Sequence, residues 1–377
     1  MKILLFEEYS GLHTFLAREL RTLGHDVTVV GNGHEFRNYP RDIDIKRSFG
    51  RFGGLRHYLH LLRLLPSFRG YDIVQLINPD CFGLKADRQY PFYRYLRRHN
   101  RKMVVGAFGL DWYWVDDGLH YHTFRYGDFY IGDTPRTDPA TKDLIERFVD
   151  TPKGEYTKYV MQDADLIPTC LYEYEACYSH YFPGKTRFIP LPMTVEHDTP
   201  VHEYDNRRVR FFIGIDSNRS AFKGTDIMLQ ALLDVRNRHP EACEVVKVES
   251  LPFAEYSRVM ESCDVMLDQL YSYTPSMNSL LAMSKGIIVV GGGEPESYDI
   301  IGERLLRPIV NVEPTYESVC SQLEWILSNT HQINRLKQES IEYVKRHHDY
   351  RKVAKQYEAM YEELLQSSGL PPVEMPD

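Results

Sequence analysis

The sequence predicts an α/β protein of two Rossmann-like domains, and three observations lead there. Its 377 residues are enough for two separately buried cores. The chain opens on KILLFEE, a helical stretch and DVTVV, which together make a strand–helix–strand unit. From Arg207 to Val235 the pattern returns: VRFFIGI reads as a buried strand, SNRSAFKG has turn chemistry, and TDIMLQALLDV places apolar residues at helical spacing.

In the first half, the helix within LHTFLARELRTLGHDVTVV stops at Gly24. The loop ahead of it, Tyr9-Ser10-Gly11-Leu12-His13, follows the first strand, at the sheet end where open α/β folds bind ligands; glycine there permits close backbone approach. YDIVQLIN and KMVVGAFGLDW supply further strands. Asp111, just after the second of them, either takes a proton from a ligand hydroxyl or caps the following turn. Trp112 to Asp133 is rich in aromatic and polar side chains without helical or strand period. Its Trp112, Asp116 and His120 suit a sugar, whose C–H faces stack on rings and whose hydroxyls need acceptors; aromatic core is the plainer reading. Asp116, Asp117, His120 and His122 lack the spacing of a zinc site. KYVMQDADLIPTC then reads as helix and short strand, followed by a helix and KTRFIPLPM. The polar, aperiodic VEHDTPVHEYDNRR is the expected interdomain linker.

In the second half, Arg219 and Lys223 with Gly224 put two cations and a helix start at the end of a strand, which suits a diphosphate; a solvated loop would look the same. CEVVKVESLPFAEYSRVMESCDVMLDQL reads strand, helix, strand. Ser276 precedes MNSLLAMSK, a helix ending at Gly286, and IIVV opens into Gly291-Gly292-Gly293. Amides of Ser276, Met277 and Asn278 would make a second anion site facing Lys223. Glu294 and Glu296 either contact hydroxyls of a bound ligand or are exposed loop acids. The remainder is helical by period up to a proline-rich tail.

Arg219 followed four residues later by Lys223-Gly224, between a strand and a helix, resembles the donor loop of GT-B glycosyltransferases, in particular the large retaining family that uses nucleotide-sugars. Ser10-Gly11 ahead of GHDV, and AMSKG, are similar to that family's glycine loop and LEAMAxG helix. Phe108 stands where a His is common, and Tyr273 and Leu281 stand where the family carries paired glutamates. The resemblance implies a GT-B architecture: an acceptor domain over 1–200, a donor domain over 201–345, a cleft between them, a helix over 346–366 crossing back, and a tail over 367–377. Taken together with the residue readings above, it puts Gly11, Arg219, Lys223, Gly224, Ser276, Met277, Asn278, Glu294 and Glu296 on the donor, and His13, Trp112, Asp116 and His120 on the acceptor, with Asp111 catalytic and no metal or cofactor expected. The implied activity is retaining transfer of a sugar from a nucleotide-diphosphate sugar to a glycan or lipid-linked acceptor, in polysaccharide or glycoconjugate biosynthesis. A nucleotide-sugar binding protein without transfer is the alternative that Phe108, Tyr273 and Leu281 suggest; a two-domain small-molecule receptor would lack the converging cations.

Composition narrows this further. Hydrophobic content of 43% with 26% charge is that of an ordinary globular protein, and the net charge of -8 argues against general nucleic-acid binding. Six cysteines without CxxC pairing read as reduced thiols, which favours the cytoplasm. The opening apolar run is too short for a signal peptide, and no stretch approaches the roughly 18 apolar residues of a membrane span. Between Lys46 and Arg69 lie six cations and no acid. GLRHYLHLLRLLPSF within them predicts a basic amphipathic helix that either packs on its sheet or docks on the inner membrane face.

Overall fold

The computed structural model describes residues 1–33, 38–47, 50–195, 203–216, 219–249 and 251–367. The chain begins with β1 (Lys2–Phe6), α1 (Leu12–Thr22), β2 (Asp26–Gly31), β3 (Ile43–Asp44), α2 (Gly53–Leu64), β4 (Ile73–Leu76), α3 (Ala86–His99) and β5 (Lys102–Val105). These strands form a parallel sheet in the order β3-β2-β1-β4-β5. Helices cover both faces, so the strands are apolar runs without alternation: Ile3, Leu4, Leu5 and Phe6 are all fully buried. Next come α4 (Trp112–His120), a small hairpin of β6 (Tyr130–Ile131) and β7 (Thr134–Pro135), α5 (Pro139–Phe148), α6 (Pro152–Asp163), β8 (Ile167–Thr169), α7 (Tyr172–Tyr181) and β9 (Thr186–Phe188). β8 pairs with β9, and extends the first sheet where Val105 N donates to Leu166 O (3.1 Å) and Ala107 N to Pro168 O (2.9 Å).

The second sheet has the parallel order β11-β10-β12-β13. It is built from β10 (Val209–Ile215), α8 (Ser220–Lys223), α9 (Thr225–Arg238), β11 (Cys243–Glu249), α10 (Phe253–Glu261), β12 (Val265–Leu267), α11 (Met277–Ser284) and β13 (Ile288–Val290). α12 (Pro295–Ile300), α13 (Tyr316–Ser328) and α14 (Ile333–His347) complete that domain, and α15 (Tyr350–Gln366) follows. The chain crosses back where Met193 N donates to His348 O (2.6 Å) and Tyr350 N to Met193 O (3.0 Å). α15 then buries Val353, Ala354, Tyr357, Met360, Tyr361 and Leu364 in the first domain's core, and Tyr361 Oη donates to Gln75 Oε1 at 2.7 Å. The expected boundary at residue 200 and the tail from 368 lie outside the described residues.

One element departs from expectation. Trp112 to His120, read as aperiodic, is the helix α4. Its Tyr113 and Val115 are buried while Trp112 and Trp114 are half-buried, so apolar surface runs around the helix and leaves no periodic contrast to detect.

Candidate functional site

The site is built first from the loop after β10. α8 carries Arg219 at its start and Lys223 at its end, and Gly224 joins it to α9 with φ +70°. A Cβ there would lie 2.6 Å from Leu270 Cβ, so the joint accepts only glycine comfortably. Arg219 is exposed and Lys223 half-buried, and neither has an ion-pair partner among the described residues. Leu270 N donates to Lys223 O (2.9 Å), which ties this loop to the segment leading into α11. Ser276 occupies the N-cap position of α11, but its hydroxyl donates to Asp268 Oδ2 at 2.8 Å and leaves the helix amides alone. Asn278 Nδ2 donates to Tyr256 Oη (2.7 Å).

Residues of the N-terminal domain hold this region from across the cleft. Arg136, its side chain 6% exposed, donates to the carbonyls of Ala221 (3.1 Å) and Phe222 (3.0 Å) and lies over the ring of Tyr271. It therefore caps the carboxyl end of α8, the turn that bears both cations. Arg125 pairs with Glu294 (2.6 Å) and Glu296, and Tyr126 Oη donates to Glu294 Oε1 (2.6 Å). Tyr273, at one of the positions where the resembled family carries glutamate, is buried against Phe124, Tyr126 and Tyr172, and its hydroxyl accepts from Arg125 N at 2.8 Å. Glu173, at the start of α7, accepts from Tyr273 N (2.7 Å), Thr274 N (3.1 Å) and Thr274 Oγ1 (2.6 Å).

Several expected residues are placed otherwise. Gly11 does have the left-handed conformation (φ +96°), but its amide donates to Glu8 Oε1 (2.9 Å), whose other oxygen takes Thr14 N (2.7 Å). The chain's own carboxylate thus fills the start of α1, where a ligand anion would sit. His13 is fully buried, its Nδ1 on Glu7 O (2.7 Å) and its Nε2 against Gln75 Nε2 (3.0 Å), and does not reach the cleft. Glu294 and Glu296 are engaged by Arg125 rather than open to a donor. Trp112 lies under Lys158 Nζ of α6, Asp116 accepts from Tyr181 Oη of α7 (2.7 Å), and exposed His120 pairs with Asp116 (2.9 Å). Asp117 instead accepts from Thr123, and the His122 ring lies tilted against Tyr130. Among the described residues no group of three or more His, Cys, Asp or Glu is placed to hold a metal ion.

Asp111 is fully buried and caps α4, accepting from Trp114 N at 3.2 Å. Burial pushes its carboxyl up to about 6, so the folded state holds this proton more tightly than the unfolded chain does. Charging it therefore costs stability as pH rises from about 4 to about 6. Asp111→Asn removes that cost: its stability relative to the parent should grow across that window and stay higher above it, as read by urea unfolding at several pH values. A catalytic Asp111 would instead lose about 10² in turnover at unchanged stability.

Sequence reasoning missed Arg125, Arg136 and Glu173. Their partners lie far along the chain, Glu294 being 169 residues from Arg125, and such pairs leave no local pattern. The density of aromatics between Trp112 and Asp133 was a signal, since Phe124 and Tyr126 cover Tyr273 of the second domain.

No protein-family profile matches the chain, and no curated protein matches it in sequence. Among solved structures it is similar to sucrose-phosphate synthase from Thermosynechococcus elongatus, at 14% identity and a TM-score of 0.60 over 98% of this chain and 100% of that one. It is similar to HepE from Anabaena in complex with UDP and glucose, at 12% identity and a TM-score of 0.61 over 96% and 99%. A third is WaaG, a glycosyltransferase involved in lipopolysaccharide biosynthesis, at 13% identity and a TM-score of 0.54 over 98% and 100%. Two parallel α/β domains facing a cleft, a final helix returning to the first, and these neighbours over nearly the whole chain agree: this protein has the GT-B glycosyltransferase fold.

Proposed function

We propose that this protein transfers a sugar, with retention, from a nucleotide-diphosphate sugar to a glycan or lipid-linked acceptor, in polysaccharide or glycoconjugate biosynthesis. The observation that carries the reading is the α8 turn, where Arg219 and Lys223 stand without ion-pair partners among the described residues while Arg136 fixes the turn's backbone. Charge develops on the leaving diphosphate, so cations held there lower the barrier, and no metal or cofactor is assigned. Amides at the start of α11 would add partial positive charge on the other side of the diphosphate. The neighbour solved with UDP and glucose supports a uridine donor as the first to try.

A second reading is nucleotide-sugar binding without transfer. It is favoured by Tyr273 being buried in the interdomain contact and by Glu294 and Glu296 being bound to Arg125.

Lys223→Ala should weaken nucleoside diphosphate binding by about 10- to 100-fold while leaving nucleoside binding and the melting temperature unchanged. Calorimetry with UDP and uridine on both proteins, repeated with other bases, measures this. Equal diphosphate affinity in parent and variant places the donor elsewhere. Product formation with the nucleotide-sugar separates transfer from binding alone.

A further inference from the structure

We infer that α2 is a membrane-docking element which lays this face of the N-terminal domain on an anionic lipid bilayer. The helix has two apolar faces. The inner one packs the chain: Leu61 is fully buried and buried His57 donates from Nε2 to Phe82 O at 2.8 Å. The outer one does not: Phe52 at the N-cap is 59% exposed, Leu55 52%, Leu59 55% and Leu62 38%. At about 100° per residue, these three leucines fall within about 60° of each other, roughly opposite the His57–Leu61 side. An amphipathic helix needs only the inner face to belong to a soluble domain, and four exposed large apolar side chains in one stripe call for a partner.

Charge selects the partner. Arg56 and Arg63 border the stripe on one edge and Arg51 lies just ahead of the helix, all three exposed and none in an ion pair among the described residues. No acidic residue occurs from Lys46 to Arg69. A second copy docking by the same face would set arginine against arginine across its two-fold axis. A nucleic acid would satisfy the cations and leave the leucines wet. A bilayer with anionic headgroups takes both, the leucines entering the headgroup boundary and the arginines resting on phosphates.

The placement matters for the fold. His57 anchors α2 on the loop after β4, at the carboxyl end of the first sheet, the end that faces the cleft. A bilayer touching Leu55 and Leu59 would therefore lie beside the cleft mouth. For the transfer proposed above this favours a lipid-linked acceptor, but docking itself does not rest on that reading.

Flotation of the full chain with vesicles tests it. Vesicles of equimolar phosphatidylcholine and phosphatidylglycerol should recover about 10- to 100-fold more protein than phosphatidylcholine alone at low salt, with the excess lost at high salt. Leu55→Ser with Leu59→Ser, and separately Arg56→Gln with Arg63→Gln, should each remove at least about tenfold of that binding. Both sites are exposed, so the melts of both variants should match the parent. Equal recovery on neutral and anionic vesicles overturns the inference. So does a concentration-dependent dimer that the leucine substitutions abolish. Neither arm requires transferase activity, so failure here and failure of the donor site are distinguishable.

Discussion

Lys337→Met should cost this protein about 3–5 kcal/mol of stability, because it strands a buried carboxylate. Lys337 Nζ lies 2.8 Å from Asp264 Oδ1, with side-chain exposures of 1% and 4%. The pair joins α14 to the residue just before β12, and Asp264 Oδ2 also accepts from Arg210 N (3.0 Å) in β10. One carboxylate thus organises two strands and a helix. Removing the ammonium leaves its charge in a low-dielectric interior, whereas Lys337→Met combined with Asp264→Asn removes the charge and keeps an acceptor for Arg210 N. The double variant should therefore recover much of the loss, and urea unfolding of all four proteins gives the coupling directly. A loss below about 1 kcal/mol in the single variant would mean that the pair is no more than a surface contact.

Glu173→Ala should open the interdomain contact at a cost of about 3 kcal/mol while leaving each domain folded. The carboxylate is buried and is the acceptor for the amides of Tyr273 and Thr274. Each buried amide left without a partner costs about 1–3 kcal/mol, and the Thr274 hydroxyl loses its acceptor as well. The loss falls on docking because Glu173 belongs to α7 and its partners to the loop before α11. Hydrogen exchange is the direct measurement: protection at Tyr273 and Thr274 should drop by about 10², with β10 amides unchanged. Unchanged protection at these two amides would show that the aromatic packing around Tyr273 holds the contact without Glu173.

Local signals made much of the fold legible. Strand runs such as KILLF and VRFFI, and glycines at 24, 224 and 286 that end or join helices with positive φ, mark elements by their own composition. The α8 turn was legible for the same reason, since strand, cations, glycine and helix are contiguous. What was hidden depends on distance along the chain or on burial. Gly11 looked like a ligand contact because its loop has the right place and residue, yet Glu8, three residues earlier, turns back to occupy its amide. Asp111 is adjacent to the cleft in sequence and sealed in space, because the aromatic helix it caps covers it. Arg125, Arg136 and Glu173 only acquire meaning when the two domains meet.

The returning helix has a consequence for how the protein is made. The first domain's core includes Val353, Tyr357, Met360, Tyr361 and Leu364, which are translated after the whole second domain. The second domain, from Val209 to His347, can close while the chain is still on the ribosome, but the first must wait with α1 and Gln75 uncovered until α15 emerges. During synthesis the N-terminal half is thus the vulnerable half, reversing the usual order of domain maturation. A nascent chain stalled just before Tyr350 should show a protease-resistant second domain attached to a protease-sensitive first one.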